Sequence, residues 1–294
     1  MTDAPRVVAL HDGRAGVRAQ AEGLAGAVAA RIGAELDVRT DAPDVAPTLA
    51  VGCGSKSRAI LRSLRKRGTK TVYVQDPRRR YSVYDLVVAP EHDAVDRPNA
   101  VSMIGSPTRY PPAALDAVRA DPLPAPDGFP DRRAAMLIGG TSSRFEMDAE
   151  AQAMHLAAAR RLLEAGFGLM VTTSRRTPGA ARAAWAKLGE RDDVWLHTGG
   201  APNPYPTFLA TADLLCVTED STNMLSEACG TGRPVFRLPM SGKPGKFAQL
   251  YDALAARCHV RRWDGDPSAQ GYAPLDETNR VADIVVERLA LAAR

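Results

Sequence analysis

The chain has 294 residues, enough for two domains of ordinary size, and its 45% hydrophobic and 24% charged content excludes long disordered stretches. Its net charge is +4, from 38 basic and 34 acidic residues, and only 5% of its residues are aromatic. That balance argues against binding single-stranded nucleic acid by base stacking, so nucleic acid is not expected as a partner.

Residues 7–10 form a short apolar run, a strand candidate that ends in the Gly-containing loop His11–Gly16. A helix is expected over 18–32, where Ala21, Leu24, Ala25, Val28 and Ile32 fall at helical spacing. Further strands are expected at 49–51, 71–74, 86–88 and 101–104. Runs apolar on both faces suit a parallel sheet covered by helices. Seven prolines between Pro107 and Pro130 then argue against long regular elements, and residues 111–131 read as a linker. A second series follows, with strands at 135–138, 169–172, 194–196, 214–217 and 234–238 and helices over 148–165 and 178–189. A last helix over 279–293 carries Val281, Ile284, Val285, Leu289 and Ala292, and its docking place is open. The repeated strand–helix pattern predicts an α/β fold of two doubly wound, Rossmann-like parallel sheets: residues 1–110, the linker, and residues 132–294.

The beginning of the sequence lacks a signal-peptide apolar region, and no apolar run approaches the roughly 18 residues needed to span a bilayer. The four cysteines, Cys53, Cys216, Cys229 and Cys258, are widely spaced, so neither a disulfide framework nor a zinc site is expected. A cytoplasmic setting fits best, with peripheral membrane contact left open. The basic clusters at 62–67 and 78–80 suit either solvated faces or an anionic partner such as a diphosphate or an acidic lipid surface.

Ligands of open α/β sheets bind beyond the carboxyl ends of strands, so the loops there carry the candidate chemistry. In the first, Asp12 and Gly13 lead into a helix N-terminus that favours an anion. Near the start of the second series, Gly139, Gly140, Thr141, Ser142 and Arg144 combine backbone donors, hydroxyls and a guanidinium that can cradle phosphate. Ser174 and Arg175 sit in a similar loop. In the segment 217–235, Asp220 or Ser221 can cap a helix whose buried stripe is Met224, Leu225, Ala228 and Cys229. That helix ends at Gly232. Thr222 and Asn223 lie in its first turn, where backbone donors suit a diphosphate. Glu227 shares a face with Asn223 and offers acceptors for a ribose diol; the alternative is a solvent-facing helix carboxylate.

The run Thr218-Glu219-Asp220-Ser221-Thr222-Asn223-Met224-Leu225-Ser226-Glu227-Ala228 resembles the signature of the mitochondrial-fission ELM family of glycosyltransferase-like proteins. Asp12-Gly13-Arg14, Gly16 and Gln20, then Gln75-Asp76-Pro77-Arg78, Gly139-Gly140, Thr173–Thr177 and Asn203-Pro204-Tyr205 match in order along nearly the whole chain. One departure is Val17, where the family pattern has His. The second half also resembles the transferase that makes lipid II, through Gly139-Gly140-Thr141, Ser221 to Glu227, and Phe247-Ala248-Gln249 near the donor sugar.

These resemblances imply a glycosyltransferase-B (GT-B) fold, two domains facing a cleft, with a nucleotide-diphosphate sugar bound by the second and an acceptor by the first. They imply no metal and no cofactor beyond the donor. Arg175, Ser221 and Thr222 would stabilise the leaving diphosphate, assisted by Lys243 or Lys246, with Gln249 near the sugar. Asp12 is the expected acceptor-activating base. The acceptor suggested is a lipid-linked or cell-envelope glycan. The alternatives are a nucleotide-sugar epimerase and a non-catalytic adaptor on the same scaffold.

Overall fold

The computed structural model describes residues 4–291. The chain forms two compact units: residues up to Pro111 together with those from Asp276 onward, and Pro112–Leu275.

The first unit contains β1 (Arg6–Leu10), α1 (Ala15–Ile32), β2 (Glu35–Arg39), β3 (Leu49–Cys53), α2 (Ser57–Lys66), β4 (Lys70–Val74), β5 (Leu86–Pro90) and β6 (Ala100–Met103). Its strands pair in parallel in the order β2-β1-β3-β4-β5-β6. Alternate residues of β1 feed two cores, as the period of a strand requires. Val7 and Ala9 pack with Leu24 and Val28 of α1, while Val8 and Leu10 pack with Leu61 and Leu64 of α2. The strand β2 was not expected: its edge position leaves it half-exposed, and Glu35-Leu36-Asp37 lacks an apolar run.

The second unit contains α3 (Pro112–Ala120), β7 (Arg133–Ile138), β8 (Phe145–Glu146), α4 (Ala149–Glu164), β9 (Gly168–Thr173), α5 (Gly179–Leu188), β10 (Val194–His197), α6 (Tyr205–Thr211), β11 (Leu214–Thr218), α7 (Thr222–Cys229), β12 (Val235–Leu238), β13 (Ser241–Gly242), α8 (Phe247–Cys258) and β14 (Arg261–Arg262). Its main sheet is parallel, in the order β10-β9-β7-β11-β12-β14, and β8 pairs antiparallel with β13.

Two expectations change here. The proline-rich segment is not a bare linker. Pro112 opens α3, a position where its missing N–H costs nothing. Leu115 is then buried, the Arg119 Nε–H donates to the Ala210 carbonyl at 2.9 Å, and the Leu123 N–H donates to Thr207 Oγ1 at 3.0 Å. The last helix, α9 (Glu277–Arg288), belongs to the first unit rather than the second: Val281, Ala282 and Val285 join the core of α1 and the sheet.

Both sheets have a point where the chain reverses its direction of strand addition, and ligands of open α/β sheets bind there. It lies between β1 and β3 in the first sheet and between β7 and β11 in the second.

Candidate functional site

In the second unit, the loops after β7, β9 and β11 converge at the switch point and are tied to one another. The Gly139 N–H donates to Thr218 Oγ1 at 2.8 Å, and the Gly140 N–H donates to Asp220 Oδ2 at 3.1 Å. A Cβ at Gly139 would overlap the Asp220 carboxylate, and one at Gly140 would overlap the Arg176 carbonyl. Glycine is required at both because three loops close on one another, not because of a turn.

Asp220 is the centre of this knot. Its side chain is 0% exposed and also accepts from the Thr218 hydroxyl at 2.7 Å and from Arg176 Nη2 at 2.6 Å. Arg176 Nη1 reaches the Gly140 and Thr141 carbonyls as well. Asp220 therefore does not cap α7; Ser221 does, its hydroxyl accepting from the Met224 N–H at 3.3 Å. The Gly140 amide, expected as a phosphate donor, is taken by Asp220. The arginine that reaches the loops is Arg176, whereas Arg175 is exposed and makes no hydrogen bond or ion pair with the described residues. The sequence offered both arginines side by side, and only the fold distinguishes them.

The other candidates in the loops after β7 and β9 make contacts within their own loops. Ser142 Oγ accepts from the Arg144 and Phe145 amides, and Thr141 Oγ1 accepts from the Met147 amide at 3.2 Å. Ser174 Oγ accepts from the Arg176 amide at 3.1 Å. The pairing of β8 with β13 brings the loop that carries Arg144 beside residues 241–247, and the Arg144 guanidinium lies 5.3 Å from the centre of the Phe247 ring. Lys243, Lys246 and Gln249 are exposed there, Lys246 at the start of α8 and Gln249 within it.

On α7, Thr222 and Asn223 occupy the first turn and are half-buried. The helix ends at Cys229, capped by Gly230, rather than at Gly232. Glu227 is 6% exposed, so the solvent-facing alternative is overturned. Tyr205, the first residue of α6, donates its hydroxyl to Glu227 Oε2. Neighbouring Glu219 is structural: it pairs with Arg237 at 2.7 Å and accepts from the Met240 amide.

Asp12 lies in the first unit, on the loop after β1 at that sheet's switch point. It pairs with Arg14 at 2.6 Å, and this hydrogen-bonded guanidinium holds its carboxyl below the ordinary range. A carboxylate so stabilised is a weaker base until Arg14 moves away. Other motif residues gather nearby: Gln20 Oε1 accepts from Gln75 Nε2 at 3.0 Å and from the Cys53 thiol at 3.4 Å.

A family model described as mitochondrial fission ELM1 matches residues 15–289. The chain belongs to the ELM1 family. Within it, mitochondrial fission protein ELM1 of Arabidopsis thaliana is 28% identical over 274 residues, which cover 83% of this chain and 64% of the plant protein. This ELM1-family chain thus spans less than two thirds of that relative. An uncharacterised Rickettsia prowazekii protein is 24% identical over 160 residues, 51% of this chain and 45% of its own length. Among solved structures, the UDP-GlcNAc 2-epimerase of Neisseria meningitidis bound to UDP-GlcNAc superposes with a TM-score of 0.58 at 9% identity, over 98% of this chain and all of that one (100%). The Methanocaldococcus jannaschii UDP-GlcNAc 2-epimerase gives 0.56 at 9% identity, over 96% and 99%. The ELM1-family fold is therefore GT-B, as the resemblance implied.

Proposed function

We propose that the second unit binds the nucleotide-diphosphate part of a sugar donor and that the protein is a glycosyltransferase needing no metal. One observation carries this reading. Glu227 is buried one turn inside α7, and the amide end of that helix opens at the sheet's switch point. A helix N-terminus favours the diphosphate, and the carboxylate accepts from the ribose hydroxyls. The Ser221 and Thr222 hydroxyls, with Arg176, lie where charge develops on the leaving diphosphate. Arg175, Arg144, Lys243 and Lys246 raise the local positive potential, and Gln249 is assigned to the sugar. Asp12 is the base proposed for the acceptor, which we take to be a lipid-linked or cell-envelope glycan. Cytoplasmic placement, with peripheral membrane contact, belongs to the same reading.

Calorimetry with uridine and guanosine diphosphates tests the donor site. Glu227→Ala should weaken binding by about tenfold to a hundredfold, the worth of a charged acceptor, with the fold retained. Binding left unchanged removes Glu227 from the site. Incubating the protein with a labelled UDP-sugar, with and without acceptor extracts, separates the chemistries: sugar transferred or leaked to water supports the transferase, an epimerised donor redirects it to an epimerase, and binding without turnover leaves an adaptor.

A further inference from the structure

The sequence leaves two readings for the basic run at 78–80, a solvated face or an anion site, and the structure separates them. Residues 75–80 form the loop after β4, at the carboxyl edge of the first unit's sheet, the edge where open α/β sheets take ligands. The order β1-β3-β4 sets the ends of β1 and β4 two strand spacings, about 10 Å, apart, so this loop is a near neighbour of the one carrying Asp12.

The loop is held in a costly shape. Gln75, Arg78 and Arg80 have φ of 86°, 62° and 59°, the left-handed region that suits glycine rather than a long side chain. Asp76 fixes the turn from within: its Oδ1 accepts from the Arg78 N–H at 2.6 Å and from the Tyr81 hydroxyl at 2.5 Å. The Gln75 N–H donates to the Val88 carbonyl at 2.8 Å, and its Nε2 donates to Gln20 Oε1 at 3.0 Å. Strain of this kind persists only where the surroundings enforce it, and it gathers at ligand sites.

On this frame stand three adjacent guanidiniums. Arg78, Arg79 and Arg80 are all exposed, and their side chains make no hydrogen bond or ion pair with the described residues. Surface arginines such as Arg39, Arg65 and Arg191 have carboxylates instead: Asp37 and Asp41 for the first, Asp85 for the second and Asp193 for the third. The carboxylate inside this loop, Asp76, turns to the backbone and to Tyr81. Three like charges so close raise one another's energy. A phosphate group removes that cost, and its oxygens match the planar forks of arginine.

We infer that the loop after β4 is an anion site of the first unit, which takes a phosphomonoester or diphosphate group carried by a soluble ester or by a lipid headgroup. It stands whether or not the second unit binds a sugar donor.

Pyrophosphate titrated into the isotope-labelled full chain, followed by amide chemical shifts, tests this. The amides of Asp76 and of Arg78 to Tyr81 should shift, and replacing Arg78, Arg79 and Arg80 together by Gln should weaken that response by at least about tenfold. Shifts at Ser221, Thr222 and Asn223 should be untouched by the replacement, so binding in the second unit is read separately. Arg78→Gly with Arg80→Gly should weaken pyrophosphate binding without lowering the melting temperature, because glycine adopts the left-handed turn freely. Sedimentation with phosphatidylglycerol vesicles, against phosphatidylcholine vesicles, names the source. Arginine-dependent binding to the anionic vesicles that pyrophosphate displaces assigns a lipid headgroup, and loop shifts without vesicle binding assign a soluble ester. A loop that does not respond to pyrophosphate, or loop shifts that survive the glutamine replacement, overturn the inference and leave the donor site standing.

Discussion

Asp220 shows how one side chain sets the shape of a loop cluster. Its buried carboxylate answers the Gly140 amide of the loop after β7, the Thr218 hydroxyl at the end of β11 and the Arg176 guanidinium of the loop after β9. Asp220→Ala should destabilise the protein by about 2–4 kcal/mol, chiefly through the two orphaned buried donors. Arg176 is 45% exposed and contributes less, because water replaces its partner. Urea denaturation checks this, and a loss below about 0.5 kcal/mol would mean that the loops hold without the knot. His155 on α4 offers a pH test. Its ring is 1% exposed, Nε2 lies 2.7 Å from the Pro239 carbonyl, and Nδ1 has no hydrogen-bond partner. Burial pushes its pKa below 6.5, outweighing the upward pull of that carbonyl. The unfolded chain therefore takes up a proton that the folded ring refuses, so this contribution is intact above pH 6.5 and is lost as pH falls below it. The stability gap between the parent and His155→Gln should narrow on going from about pH 7.5 to 5.5. His11, also lowered first by burial, titrates in both proteins and cancels. A gap that stays constant would show that His155 is protonated without cost.

At the scale of elements, the central strands were legible because each is an apolar run ending in a polar loop, as in Ala135–Ile138 before Gly139 or Leu214–Val217 before Thr218. The edge strands were not. β2 is polar, and β8, β13 and β14 are two residues each, too short for any period to show. The site was legible in part for a similar reason. Glu227 could be placed on α7 from its spacing, but its hydrogen bond comes from Tyr205, 22 residues earlier on another helix. The choice between Arg175 and Arg176 likewise turns on Asp220, 44 residues from Arg176. Helix α9 was predicted as a helix but not placed, since amphipathic spacing does not say which sheet it covers. Its docking makes a firm prediction. Ending the chain at residue 275 should expose the apolar face of α1 and unfold the first unit while the second stays folded. Amide hydrogen exchange would show protection lost at Val7 and Leu24 but kept at Leu137 and Val217. Uniform protection would mean that α9 is dispensable.

For the whole molecule, the two units differ in how the chain runs through them. The second is one continuous segment with its own parallel sheet and its own candidate donor site. Residues 112–275 expressed alone should fold and bind the preferred nucleoside diphosphate within about tenfold of the full chain. Calorimetry on the fragment decides. A folded fragment with no affinity would show that the first unit supplies essential nucleotide contacts.

The first unit is discontinuous, and synthesis on the ribosome gives that a direction in time. Its sheet emerges early, but the helix that seals one face of it is made only after the whole second unit has been translated. At about 5–20 residues per second, the apolar side of α1 waits on the order of ten to thirty seconds for its cover. Through that interval the nascent first unit presents a greasy, half-finished surface, a natural substrate for chaperones, while the second unit folds ahead of it. Nascent chains stalled before α9 should therefore be cut by protease within the first hundred or so residues and resist it after Pro112.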